Sequence, residues 1–333
     1  MPCASCRRIR KCWTVCAGTL ERGELVLHYQ PQVRLDSGAV VAVEALVRWF
    51  HADLGLISPA EFIPLAEETG LILDLGRWVL NTACAQVRAS QEQGFELRLA
   101  VNLSGRQFEQ DDLVRSIAQV IEATAFDPAD LELELTESSI MRSPEQAVAK
   151  LHALNRLGIR LSIDDFGTGY SSLGHLKRFP IRTLKIDQSF IQDITTDPND
   201  AAIAQAIIAL AESLQLKVIA EGVETREQLD LLRRYHCDEM QGYLFARAAA
   251  GGAFGTAPER CPPARLKCGG QVARSLRAPN ARMGSGARAA AHHLRERDQR
   301  KRKTIGQFTT KPPDPKSPPP GPVTKPFWTN VRI

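Results

Sequence analysis

The chain has 333 residues, 44% of them hydrophobic, which is ample for the core of one large α/β domain or two small ones. Its net charge of +4 conceals a division: residues 248 to 333 carry 17 Lys and Arg against 4 Asp and Glu, so residues 1 to 247 sum to −9. No stretch approaches the roughly 18 to 20 apolar residues that cross a bilayer, and the basic N-terminus lacks an apolar signal core, so neither a membrane span nor a signal peptide is expected.

Cysteine usage follows the same division. Cys3, Cys6, Cys12, Cys16, Cys261 and Cys268 lie near the ends, and only Cys84 and Cys237 fall between residues 23 and 247, the usage of a reduced, cytoplasmic domain. Residues 1–19 space four cysteines as C-x2-C-x5-C-x3-C. Five residues is short for the gap between the two halves of a structural zinc site, so this segment reads as an unstructured extension.

From Leu20 short β-type runs alternate with helical ones. Strands are expected over residues 25–29, 40–47, 97–101, 131–135, 159–163, 183–186, 217–220 and 239–243. Between them, helices are expected from Pro59 and over 73–93, 112–123, 145–157, 171–177, 201–214 and 227–235. Pro59 and Ser143-Pro144 mark entrances, and Gly94 and Gly158 mark exits. Eight strands interleaved with helices suit an α/β fold of the TIM-like (β/α)8 barrel type, with an open doubly wound sheet as the rival.

The polar residues favour the barrel. Glu44, Asn102, Glu134, Asp164 with Asp165, Lys185 with Asp187, Glu221 and Gln241 lie at or near the C-terminal ends of successive strands, and in a barrel those ends converge on one mouth. Glu134 sits inside the run Leu131-Glu-Leu-Glu-Leu-Thr-Glu, where burial of a lone carboxylate is costly and a cation is its simplest partner. In Ile163-Asp164-Asp165-Phe166-Gly167-Thr168-Gly169, adjacent strand carboxylates point apart unless the backbone turns, and Gly167 and Gly169 are expected to let it turn. Two carboxylates so close repel unless a cation neutralises them, and oxygen donors suit Mg2+ or Mn2+. Alone, this stretch reads more readily as a solvated aspartate turn; the other strand-end residues reverse that preference.

Taken together, residues 20 to 247 resemble the EAL domain, the bacterial cyclic di-GMP phosphodiesterase family. Eight motifs in order carry the resemblance: Glu44-Ala-Leu-Val-Arg48, the PAEFIPLAEETG run from Pro59, Val101-Asn-Leu-Ser104, Glu134-Leu-Thr-Glu137, the IDDFGTGYSSL run from Ile163, Leu184-Lys-Ile-Asp187, Ala220-Glu-Gly-Val-Glu224 and Gln241-Gly-Tyr-Leu-Phe245. The resemblance implies hydrolysis of cyclic di-GMP to linear pGpG at a two-metal Mg2+ or Mn2+ site. One ion would be held by Glu44, Asn102, Glu134 and Asp164, the other by Asp164 and Asp165 with help from the Glu221 region. Lys185 would contact the attacking water, and Glu221 would be either general base or metal ligand. Gln30, Leu46, Arg48, Asp187 and Gln241 match substrate-binding positions. Glu137 matches the anchor of a regulatory loop, Phe166-Gly167-Thr168-Gly169, linked to a homodimer interface.

The chain departs from the family after Phe245-Ala246-Arg247, where a final amphipathic helix is expected and Ala248-Ala-Ala-Gly-Gly follows instead. The barrel is therefore expected to lack its last helix, with residues 248–333 forming a disordered Pro-, Gly-, Ala- and Arg-rich tail. Nucleic-acid binding by this basic tail is not expected, because no aromatic interleaving accompanies it. The two flanks share one compositional bias and read as altered-frame or junctional sequence around an interrupted gene, which intact-mass analysis of the native product checks. The alternatives to catalysis are a non-catalytic cyclic di-GMP-binding regulator, an inactive truncated product, and a basic-tailed interaction protein that uses the barrel as a scaffold.

Overall fold

The structure, a computed structural model, describes residues 23–169 and 173–250. The expectations for the cysteine-rich extension, for Tyr170, Ser171 and Ser172, and for the tail beyond residue 250 lie outside the described residues.

One sheet contains β1 (Leu25–Arg34), β2 (Val40–His51), β3 (Gly55–Ile57), β4 (Arg98–Asn102), β5 (Leu131–Thr136), β6 (Arg160–Phe166), β7 (Thr183–Ile186), β8 (Lys217–Ala220), β9 (Glu239–Met240) and β10 (Ala249–Ala250). Eight of these close into a barrel in the order β1-β9-β8-β7-β6-β5-β4-β2, with β2 returning to β1; β3 and β10 are added outside the ring. From β2 to β9 every neighbouring pair in the ring is parallel.

The expected alternation of strand and helix fails at β1, which is antiparallel to both β2 and β9. Only residues 35–39 separate β1 from β2. A crossover to a parallel strand needs a dozen or more residues, so a hairpin is the one available connection. The hairpin pairs Gln30 with Glu44 in mid-strand and continues past the mouth, where Leu25 opposes Trp49 and Val26 opposes Arg48.

The outer layer is helical: α1 (Pro59–Thr69), α2 (Ile72–Gln91), α3 (Gly105–Glu109), α4 (Leu113–Thr124), α5 (Glu137–Met141), α6 (Pro144–Arg156), α7 (Leu173–Leu176), α8 (Gln188–Gln192), α9 (Pro198–Ser213) and α10 (Arg226–Arg234). The three short helices α3, α5 and α8 had no counterpart in the sequence pattern, because one turn and a half shows no periodicity. Each starts within three residues of a strand end at the mouth. Ser104 caps α3 through a capping box with Gln107, and Asp187 caps α8 by accepting from Ser189 N at 2.9 Å.

Strands β5 and β7 are buried nearly throughout, since one face meets the helices and the other fills the barrel. Among the described residues no helix follows Arg247; β10 continues the chain, with Tyr29 opposite Ala249 and His28 opposite Ala250. The expected start of the disordered tail at 248 therefore falls before the last described strand. No helix among the described residues is long and apolar enough to cross a membrane.

Candidate active site

Lys185 organises the mouth. Its side chain is 1% exposed, and its Nζ lies 2.6 Å from Glu221 Oε1, 2.7 Å from Glu134 Oε2, 3.5 Å from Asp164 Oδ1 and 3.7 Å from Glu44 Oε2. Three strands, β2, β5 and β6, and the residue just past β8 thus deliver carboxylates to the ammonium on β7. Burial disfavours the charged lysine, but the carboxylates of Asp164, Glu134, Glu221 and Glu44 outweigh it and hold the Lys185 pKa well above its ordinary value.

Asp164 and Asp165 are brought to one side by a different device from the one expected. The strand does not end at the pair; it runs on to Phe166, which pairs with Ile186. The register shifts between Ile163 and Phe166, and Asp165 itself adopts a left-handed backbone with φ of 54°. This bulge, not the following glycines, presents both carboxylates at the mouth. Asp165 N donates to Asp164 Oδ1 at 3.0 Å and locks the pair.

The glycines serve the loop beyond. Gly167, at φ of 101°, donates its N–H to Glu137 Oε2 at 3.1 Å. A Cβ on Gly169 would stand 2.6 Å from Glu137 Oε1, so a larger residue there would displace that buried carboxylate from the loop. Thr168 Oγ1 donates back to Asp165 O at 2.8 Å.

On the other side, Asn102 Nδ2 donates to Glu44 Oε1 at 2.5 Å, and Gln241 Nε2 donates to Glu44 Oε2 and, at 3.2 Å, to Gln30 Oε1. Asp187 stands beside Asp165, and its negative charge adds to the rise of the Asp165 carboxyl. Leu46 and Arg48 share the face of Glu44 farther along β2. They take no hydrogen bond from the cluster, and Arg48 Nη1 donates to Val47 O at 2.9 Å.

Gln32 is a member of the site that the sequence reading missed. It is fully buried, with Nε2 3.1 Å from Gln241 Oε1 and 3.5 Å from Glu134 Oε1. Strand β1 was expected to stop at residue 29. Extended to Gln30, its period of two places Gln32 on the same inward face, and that signal was available.

Charge balance tests whether the residues suit a cation. Five carboxylates, Glu44, Glu134, Asp164, Asp165 and Glu221, face one buried ammonium. Burial pushes Glu221 up to about 8 in spite of Lys185, while burial and then the Asp164 charge push Asp165 up to about 6. Oxygens of Asp164, Asp165 and Glu221 all lie within 4.8 Å of one another. An all-oxygen donor set with surplus negative charge fits a hard divalent cation.

The profile of the EAL domain family matches residues 16–248. The chain is 48% identical over 229 residues to the bifunctional diguanylate cyclase/cyclic di-GMP phosphodiesterase MucR of Pseudomonas aeruginosa, covering 68% of this chain and 33% of that protein. It is 43% identical over 235 residues to the cyclic di-GMP phosphodiesterase PdeR of Escherichia coli, covering 71% of this chain and 35% of that one. It therefore spans about a third of the length of these curated relatives. Among solved structures, the PaMucR phosphodiesterase in complex with c-di-GMP superposes with a TM-score of 0.70 at 46% identity, over 72% of this chain and 98% of that one. The EAL enzyme Bd1971 in its cAMP and cyclic-di-GMP bound form gives 0.71 at 34% identity, over 75% and 68%. The chain belongs to the EAL domain family.

Proposed function

We propose that the chain hydrolyses cyclic di-GMP to linear pGpG with Mg2+ or Mn2+. The observation that carries this reading is the surplus of carboxylates around Lys185, in a chain that aligns with nearly the whole of the c-di-GMP-bound PaMucR phosphodiesterase. One ion is assigned to Glu44, Asn102, Glu134 and Asp164, the other to Asp164 and Asp165 with Glu221. Bound there, such cations neutralise phosphate charge and make water a stronger acid.

The residues of the chain supply the remainder. Lys185 is held by Glu134 and Glu221 so that its charge is fixed before substrate arrives, which removes a reorganisation cost from the reaction. Glu221 is the more accessible of its two closest partners, with a side chain 20% exposed against 0% for Glu134. Without a cation, its rise to about 8 leaves Glu221 largely protonated at neutral pH; a divalent cation bound beside it would favour the carboxylate, the form able to act as a general base at the edge of solvent. The guanidinium of Arg48, on the arm above Glu44, suits a phosphate oxygen, and the amides of Gln30 and Gln241 suit a guanine edge. Asp187, beside Asp165, is assigned with Leu46 to the substrate-facing rim.

Glu137 and the loop Phe166 to Gly169 are assigned a regulatory role, supported by the Gly167 to Glu137 hydrogen bond, and a homodimer contacting through this loop belongs to the same proposal. A cytoplasmic location is supported by the two buried free thiols, Cys84 and Cys237. The test is incubation of the full chain with cyclic di-GMP and Mg2+, with Asp164→Asn as control. The expected result is pGpG from the unaltered chain and none from the variant. Binding without turnover would reduce the reading to a cyclic di-GMP receptor.

A further inference from the structure

We propose that Gln32 is a positioning residue that presets Glu44 and Glu134 for the divalent cation, an inference that rests on the phosphodiesterase reading. An amide is nearly symmetric in shape, so Gln241 could present either its oxygen or its NH2 group to Glu44. Presenting the oxygen would set an acceptor against a carboxylate. Gln32 removes the ambiguity: its Nε2 donates to Gln241 Oε1 at 3.1 Å, which leaves the Gln241 NH2 group directed at Glu44 Oε2 and Gln30 Oε1.

The same NH2 group of Gln32 reaches Glu134 Oε1 at 3.5 Å, while Lys185 holds Glu134 Oε2 at 2.7 Å. Asn102 and Gln241 likewise divide the two oxygens of Glu44. Both carboxylates are therefore held at both oxygens, and Gln32 acts on each, directly on Glu134 and through Gln241 on Glu44.

Gln32 is a poor choice for stability alone. Its Oε1 is buried without a hydrogen-bond partner among the described residues, an orphan acceptor that an unbranched apolar side chain of similar size would not bury. The amide is explained by its donors, and those donors point at the carboxylates of the site. Outer groups that orient ligands in this way typically change metal affinity by about 10- to 100-fold when removed.

The test uses Mn2+ alone. The full chain is titrated with Mn2+ by calorimetry as the unaltered protein, as Gln32→Met, which keeps the volume and loses the donors, and as Gln32→Asn, which keeps the amide but shortens its reach. Melting temperature is measured in chelator, and turnover is followed as a function of Mn2+ concentration. The expected result is an Mn2+ dissociation constant raised about tenfold in both variants. Metal-free melting should stay within a degree or two of the unaltered chain for Gln32→Met, and activity should recover as Mn2+ is raised. Unchanged affinity in either folded variant would overturn the inference. So would weakened affinity accompanied by loss of metal-free stability in both variants, since that assigns Gln32 a purely structural role. If Gln32→Met does not fold, Gln32→Asn decides on the same criteria. No Mn2+ binding by the unaltered chain would remove the phosphodiesterase reading and this inference together.

Discussion

Arg98 and Lys185 both carry positive charge into the barrel, at opposite ends. Arg98 opens β4 at the closed end and lies 2.7 Å from Glu132 and 2.6 Å from Glu239, with Lys217 3.0 Å from Glu239. Two cations there meet two carboxylates. At the mouth Lys185 meets Glu44, Glu134, Asp164 and Glu221, with Asp165 beside them. The first cluster is complete within the chain, and the second is complete only with additional positive charge. Buried charge as such does not mark a functional site; the imbalance does.

The largest test of this contrast removes a carboxylate from the unbalanced end. Asp164→Asn is expected to lower kcat by at least about 10^4-fold, about 5.5 kcal/mol of barrier, with circular dichroism unchanged. Removing the cation from the balanced end is expected to act on stability instead. Arg98→Met leaves buried Glu132 without a cation and Glu239 with Lys217 alone, and should cost about 3 to 5 kcal/mol in denaturant unfolding, while kcat per folded molecule is retained. Loss of activity in the remaining folded Arg98→Met protein would break the comparison.

A third test uses pH. Asp165 and Glu221 are raised in the folded protein, to about 6 and about 8, so between about pH 5 and 8 the native state retains protons that the unfolded chain has released. Stability of the chelated protein should therefore fall as pH rises through that range. Saturating Mg2+ should flatten or reverse the slope, because the cation replaces the protons. Melting temperature against pH, with chelator and with Mg2+, checks both statements. The smallest effect is expected at Lys217, whose side chain is 46% exposed: Lys217→Ala should cost less than about 1 kcal/mol, since solvent screens its pairing with Glu239.

The legibility of the two ends differs for a physical reason. At the mouth, Asn102, Glu134, Asp164 and Lys185 interrupt apolar strands, and a polar residue in such a run stands out in a linear reading. Arg98 and Glu239 were not singled out, because charges at the start of a strand resemble ordinary loop charge until the barrel closes around them. Gln32 escaped for a different reason: Pro31 made the strand look finished, although the period of two carried on past it, and the pairing of β1 with β2 and β9 shows that the strand continues.

By itself the sequence determined the parallel strands, their order around a barrel and most of the residues that face its mouth, since these follow from apolar periodicity and the polar residues that break it. The short connection from β1 to β2 already implied a hairpin, whereas the bulge that brings Asp164 and Asp165 together at the mouth and the amide chain from Gln32 to Glu44 were decided only by the tertiary structure. Each depends on hydrogen bonds between segments distant in the chain. Closure of the ring creates those bonds, and no local pattern of residues encodes them.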